Sequence, residues 1–215
     1  NSVFQTGRFA SFWNETLHQI ERLPGVRSAS LTTLSPLDGN DRGLRIVVSG
    51  FTARSNEDRG IRMNQVTPRY FETFGIPVLQ GRSFTEADDE TAPKVILLNE
   101  AAARFYFGEK SPLGAHVSFP QRTGISPQYE IVGIVKDSRY ENLRWPDTRL
   151  MYLPLKQARD RLVRLMLAVR TEGDPMQLSE PVAGELRQAD PDTLVTDIAT
   201  LNERVSKSLM RERLI

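Results

Sequence analysis

The 215 residues carry 28 Lys+Arg against 27 Asp+Glu, a formal net charge of +1, with 39% hydrophobic and 26% charged residues. That near balance offers no general attraction for nucleic acid or an anionic membrane surface, and the length suffices for one large domain or two modest ones. With no cysteine, disulfides, thiolate chemistry and cysteine-based zinc sites are excluded.

Phe9, Phe12, Trp13, Leu17, Ile20 and Leu23 recur at helical spacing and predict an amphipathic helix over about residues 8–23, stopped by Pro24-Gly25. Val26 to Leu31 reads as a strand. Ser35 to Gly43 has the composition of a polar loop. Leu44 to Phe51 and Ile61 to Val66 are predicted strands separated by the charged segment Arg54 to Gly60. Residues 67–74 read as a short helix, with Thr67 as N-cap, Pro68 in the first turn and Gly75 as the left-handed stop. Tyr70, Phe71 and Phe74 share one face of it. Ile76 to Leu79 is extended, and Gly81-Arg82 turns the chain.

Glu86 to Glu90 is expected to be a solvated acidic loop. Val95 to Leu98 is a short apolar strand, after which Asn99 caps a helix that Gly108 ends. A turn at Ser111 to Gly114 leads to a strand at His116 to Phe119. Tyr129 to Val135 is the strongest strand signal in the chain, being rich in β-branched residues. Leu150 to Leu155 and Leu162 to Arg170 are further strands. Asp174-Pro175 starts a helix carrying Leu178, Val182 and Leu186, with Pro181 predicting a kink or break. Leu194 to Ile198 then reads as a strand, and Thr200 to Glu203 as a capping box opening a last helix. Helix, Pro-containing turn and strand thus occur in the same order at both ends. That echo suggests two α/β units sharing a split layer.

No stretch approaches the ~20 consecutive apolar residues of a membrane helix, and no basic-then-apolar leader opens the chain. The ends read as internal cuts: there is no initiator Met, and the last helical pattern still runs at Leu214-Ile215.

Candidate chemistry is sparse. His18 and His116 lie far apart with no H-E-x-x-H or other ligand spacing, so structural roles are preferred. Neither a Ser-His-Asp triad nor a G-x-S-x-G elbow is supported. Asp38 to Gly43 superficially resembles a calcium loop. It places Arg42 where an oxygen ligand is needed and Ser49 where a bidentate Glu belongs, so a turn is the better reading. Asp137 is read as capping a loop rather than as an acid or base. The interleaving at Arg104 to Phe107 and Arg139-Tyr140 is assigned to packing rather than to single-stranded nucleic acid. No G-x-x-x-x-G-K-[ST] occurs, so no P-loop is present. No catalytic, cofactor-binding or metal residue is therefore nominated, no cofactor is expected, and the chain is not read as an enzyme.

Four blocks occur in order: Y-F-x-x-F-G-I-x-x-x-x-G-R from Tyr70, N-E-A-x-A-R from Asn99, P-L-G from Pro112 and V-G-I-V-x-D from Val132. In this order they resemble the extracytoplasmic core domain of MacB-like and FtsX-like ABC-transporter permeases. The likeness is strongest over residues 66–153, and the unfused, duplicated permease branch fits best. The resemblance implies an α+β fold of two α/β subdomains. A porter-like split subdomain would take residues 1–75 and 151–215, and a smaller inserted subdomain residues 76–150. It implies a domain on the periplasmic side of the bacterial inner membrane, set between two transmembrane helices. Helix 8–23 would continue the first of these, and helix 201–215 would run into the second. Its role would be non-catalytic coupling of helix movement to efflux or to action on a partner. An ATPase subunit, a periplasmic adaptor or a second copy are the implied partners, and no substrate or partner-contact residue is carried over. Two other classes stand beside this one. A freestanding envelope module for peptide, glycan or lipid predicts a concave apolar pocket. A hydrolase or transferase assembled from distant residues predicts a cleft with strongly perturbed pKa values.

Overall fold

Short apolar and β-branched runs supply the strands of one mixed sheet. The computed structural model describes residues 8–34, 43–120, 127–138, 148–157 and 165–213, and among these are ten strands and five α-helices. The first half contains α1 (Arg8–Glu21), β1 (Val26–Thr32), β2 (Gly43–Arg45), β3 (Val47–Val48), β4 (Gly60–Val66), α2 (Tyr70–Phe74) and β5 (Val78–Gly81). The second contains β6 (Val95–Asn99), α3 (Glu100–Phe107), β7 (His116–Ser118), β8 (Gln128–Val135), β9 (Leu150–Pro154), β10 (Met166–Thr171), α4 (Ser179–Ala189) and α5 (Leu201–Arg213). The sheet runs β10-β1-β4-β9-β6-β8-β7-β3, with β2 also beside β4 and β5 also beside β8. The β4–β9 and β6–β8 pairs are parallel.

The alternation of side chains along a strand makes this sheet a partition between two cores. Ile96 and Leu98 of β6 join Met151 and Leu153 of β9 on the face covered by Ala102 and Tyr106 of α3. Val95, Leu97, Leu150 and Tyr152 join Tyr70 and Phe71 of α2 on the other. The aromatic block foreseen on α2 is the centre of that second core. Phe71 meets Tyr152 edge-on at 4.9 Å, and Tyr70 lies 4.6 Å from Phe74. A third cluster forms where Leu17 and Ile20 of α1 meet Ala29 and Leu31 of β1, Leu186 of α4 and Leu155.

β8 departs from strict alternation. Ile131 and Ile134 both face the α3 side, while Val132 and Val135 face the α2 side. A bulge explains this: Ile96 pairs with Ile131, but the next residue, Leu97, pairs with Gly133. The bulge also brings β5 unusually close. A Cβ on Gly133 would lie 2.3 Å from the Arg82 carbonyl oxygen, and one on Gly81 would lie 2.1 Å from that of Val132. Gly81 also has φ +70°, a conformation that side chains disfavour. The glycines of the G-R and V-G-I-V blocks are thus two halves of one close backbone contact, Gly81 opposite Gly133.

Several expectations need correction. Thr67 does not cap α2. Its hydroxyl accepts from the Leu31 amide at 2.9 Å and its own amide donates to the Leu31 carbonyl at 3.0 Å, extending the β1–β4 ladder. α2 therefore starts only at Tyr70, after a turn at residues 68 and 69. The strand expected over Leu44 to Phe51 is two short pieces serving different partners, β2 on β4 and β3 on β7. Buried Ile46 lies between them. Leu194 to Ile198 has no ladder partner among the described residues, and Leu194 is 86% exposed. The break foreseen around Pro181 falls earlier: a 3-10 turn at Pro175–Leu178, capped by Asp174, gives way to α4. Pro181 then sits in the first turn of α4, where a missing N–H is harmless. The Thr200–Glu203 capping box forms reciprocally, at 2.7 and 3.1 Å.

Candidate functional site

Asn99 is the best-connected side chain of the N-E-A block. Its Oδ1 accepts from the amides of Ala102 (3.1 Å) and Leu150 (2.9 Å), and its Nδ2 donates to Asp137 Oδ1 (2.7 Å) and to the Thr148 carbonyl (2.8 Å). Asp137 Oδ1 also accepts from the Ala101 amide at 3.0 Å, while the Asp137 amide donates to Glu100 Oε2 at 3.2 Å. The N-E-A block and the aspartate of V-G-I-V-x-D thus close on each other at the start of α3. A carboxylate there complements the positive end of the helix. This is a fastening, and it agrees with the capping role read for Asp137.

The acidic segment is solvated only in part: Glu86 and Glu90 are exposed, as expected, but Asp88 is buried and held. Arg82 makes a bidentate pair with Asp88, 2.8 Å on each arm, and the Thr85 amide donates to Asp88 Oδ2 at 2.7 Å. Burial of Asp88 opposes its ionisation, but the bonds from Arg82 and Thr85 outweigh it and hold the carboxyl below its ordinary range. Asp89 is likewise held low, by bonds from the Thr91 hydroxyl and amide and the Ala92 amide. The protruding Glu86 accepts from Lys156 Nζ at 2.6 Å and from Asn14 Nδ2 of α1 at 3.1 Å.

A second node grips the far end of α1. Arg69 pairs with Glu72 at 2.6 Å and with Glu21 at 2.7 Å, and it donates to the Arg27 carbonyl at 3.1 Å. The Glu72 carboxyl is lowered by that bond from Arg69. Glu21 in turn accepts from the Ala29 amide at 3.0 Å. Beside the first node, Trp13, Thr67, Pro68, Pro154 and Leu155, together with Asn14, Thr85, Asp88 and Lys156 of that node, line a narrow and largely apolar groove of about 20 Å³, room for roughly one water.

The two histidines are not brought together, and only His18 comes near a node. His18 is a surface residue 4.0 Å from Glu21, and the His116 amide donates to the Ser49 hydroxyl. The Arg104–Phe107 block contributes packing: Phe105 lies under the Arg149 guanidinium at 4.1 Å, and Tyr106 donates to the Gly60 carbonyl. Burial pushes the Tyr106 phenol up, with Arg149 opposing. Residues 35–42, with the superficial calcium loop, and Arg139-Tyr140 lie outside the described residues. Among the described residues no group of three or more His, Asp or Glu is placed to hold a metal, and no helix is long and apolar enough to cross a membrane. Sequence reasoning missed the nodes because their partners are 70 or more positions apart for Glu86. Only Thr85-x-x-Asp88, a local capping spacing, advertised that the loop was ordered.

Comparison with known proteins gives a consistent picture. A family model described as the MacB-like periplasmic core domain matches residues 2–189. The macrolide export ATP-binding/permease protein MacB of Aggregatibacter actinomycetemcomitans is 32% identical over 71 residues. That match covers 33% of this chain and only 10% of the relative's own length. The periplasmic region of MacB from Actinobacillus actinomycetemcomitans superposes with a TM-score of 0.57 at 16% identity, covering 81% of this chain and 72% of that one. The extracellular domain of the noncanonic ABC-type transporter YknZ from Gram-positive bacteria gives 0.56 at 17% identity, covering 83% and 84%. At such identities the superpositions speak for the fold.

Proposed function

Because this chain belongs to the MacB-like periplasmic core domain family, we propose that it works as a non-catalytic mechanical element of an inner-membrane ABC-transporter permease. Movement of membrane helices joined to α1 and α5 changes the shape of the domain on the periplasmic side. That change moves a substrate outward or acts on a partner. The division into a split porter-like subdomain, residues 1–75 with 151–215, and an insert, residues 76–150, is part of this reading. So are an ATPase subunit, a periplasmic adaptor and a second copy as partners.

One observation supports it above the rest. α1 is bonded at two separate points to the rest of the fold, through Asn14 to Glu86 and through Glu21 to Arg69. A force applied along α1 therefore reaches both the loop after β5 and the start of α2. The test is topology and coupling together. Reporter fusions before residue 1 and after residue 215 of the parent polypeptide should place this domain outside the cytoplasm, between two membrane helices. A soluble product with natural ends at these positions would overturn the proposal.

A further inference from the structure

Two observations about α1 combine into a lever. First, the outer unit of α1, β1, β10 and α4 packs through an apolar cluster that, among the described residues, reaches the body only at Leu155. The unit rests on α2 where Arg170 donates to the Glu72 carbonyl at 3.0 Å, and meets the central sheet along a short seam. β1 and β4 share the single register pair Thr32–Val66, flanked by bonds at Leu31–Thr67 and Thr33–Gln65. Second, the polar contacts holding α1 differ in kind at its two ends. At Glu21 the carboxylate is only 15% exposed and is held by Arg69, which is itself fixed by Glu72 and the Arg27 carbonyl. At Asn14 the contact is one 3.1 Å bond to Glu86, whose side chain is 55% exposed, and behind it lies the apolar groove.

We propose that α1 pivots at the Glu21–Arg69 node, and that Glu86 is a releasable clasp holding its middle against the body of the domain. The inference deepens the mechanical reading above, on which its functional meaning rests. At ~1.5 Å of rise per residue, Asn14 lies about 10 Å along the helix from Glu21, so a swing of about 15° displaces it by roughly 3 Å. That breaks the Asn14–Glu86 bond and widens the groove beside Trp13, Pro68 and Leu155, while the pivot contacts keep their partners. Lys156 stays on the body side and retains Glu86, so the clasp can close again. The exposure of Glu86 suits this role, since water can take the place of Asn14 when the bond opens.

The test uses spin labels in the intact parent polypeptide, at exposed positions 15 or 18 on α1, each paired with exposed position 128 on β8. Pulsed dipolar distances are then compared between the native clasp and Glu86→Ala. The expected result is a 15–128 distribution shifted or broadened by about 2 Å or more, an 18–128 distribution changed about half as much, and an unchanged melting temperature. The double variant N14A/K156A should reproduce it. Unchanged distributions in both variants would overturn the clasp. An 18–128 change as large as that at 15 would overturn the pivot, since α1 would then shift as a rigid body. These distances read the domain alone, so a failed membrane topology would leave them interpretable, and unchanged distances would leave the topology standing.

Discussion

Asparagine and aspartate are near-equivalent as helix N-caps, so a capping rule alone gives Asn99→Asp almost no effect on stability. The structure gives the opposite expectation. Asn99 Nδ2 lies 2.7 Å from Asp137 Oδ1, and the substitution sets a second carboxylate oxygen where a donor stood. Two carboxylates at that distance cannot both ionise, and each unit by which the pair's shared proton is held above the ordinary range costs about 1.4 kcal/mol at neutral pH. A loss of about 2–4 kcal/mol at pH 7 follows. The folded variant holds a proton that the unfolded chain releases, so its stability falls as pH rises through the raised pKa and recovers as pH drops towards 5. Asn99→Ala instead orphans the buried amides of Ala102 and Leu150, at about 1–3 kcal/mol each, with no such recovery. Urea melts of the three proteins at pH 7 and pH 5 decide the matter. An N99D deficit below about 0.5 kcal/mol at pH 7, or one equal at both pH values, would refute the reasoning.

Gly133→Ala should cost about 3 kcal/mol or more, because its Cβ would strike the Arg82 carbonyl at 2.3 Å and Leu97 Cδ2 at 3.1 Å; a thermal melt showing a loss under about 1 kcal/mol would contradict the tight β5–β8 contact. Asp88→Asn should cost about 2 kcal/mol at pH 7 by weakening the bidentate pair with Arg82. Because the Asp88 carboxyl is held low, its contribution is present above the unfolded carboxylate range near ~4 and vanishes as pH falls below it. Wild type and D88N should therefore converge in stability in acid, and parallel acid curves would exclude the pair as their source. Arg149→Ala removes bonds to the Glu57 and Asp58 carbonyls and the stack on Phe105, so amides over residues 57–60 should exchange at least several-fold faster; unaltered exchange there would show that the segment is held by other means.

Elements whose signal is local were legible in the sequence. The periodicity of Phe12 to Ile20 gave α1, the run Val95 to Leu98 gave β6, and Asn99 and Gly108 marked the two ends of α3. What failed was decided by distant partners. Thr67 has a sound capping spacing, yet its hydroxyl bonds Leu31, 36 positions away. Leu194 to Ile198 has strand composition, but a strand needs a neighbour, and composition cannot supply one. The acidic segment looked solvated because Arg82 and Lys156, which neutralise Asp88 and Glu86, are not visible as partners from charge counts alone. The site was harder still, since it consists of one-residue contacts such as Asn14 to Glu86, with no motif around either member.

The blocks that carry the family likeness chiefly bind one another. Asn99 and Glu100 meet Asp137, Gly81 lies against Gly133, and Tyr70 and Phe71 pack on Tyr152. Such contacts make the fold and are largely satisfied internally. The two nodes on α1 are built mostly from other residues: Asn14, Glu21, Arg69, Glu86 and Lys156. Glu86 is half exposed, and removing it unpacks no core. A domain whose framework contacts are buried and whose helix contacts are polar and partly exposed can keep one fold while its response to movement is tuned. If that is so, exchanging the residue at position 86 should alter how α1 moves without altering whether the chain folds, whereas exchanging Asn99 or Gly133 should do the reverse.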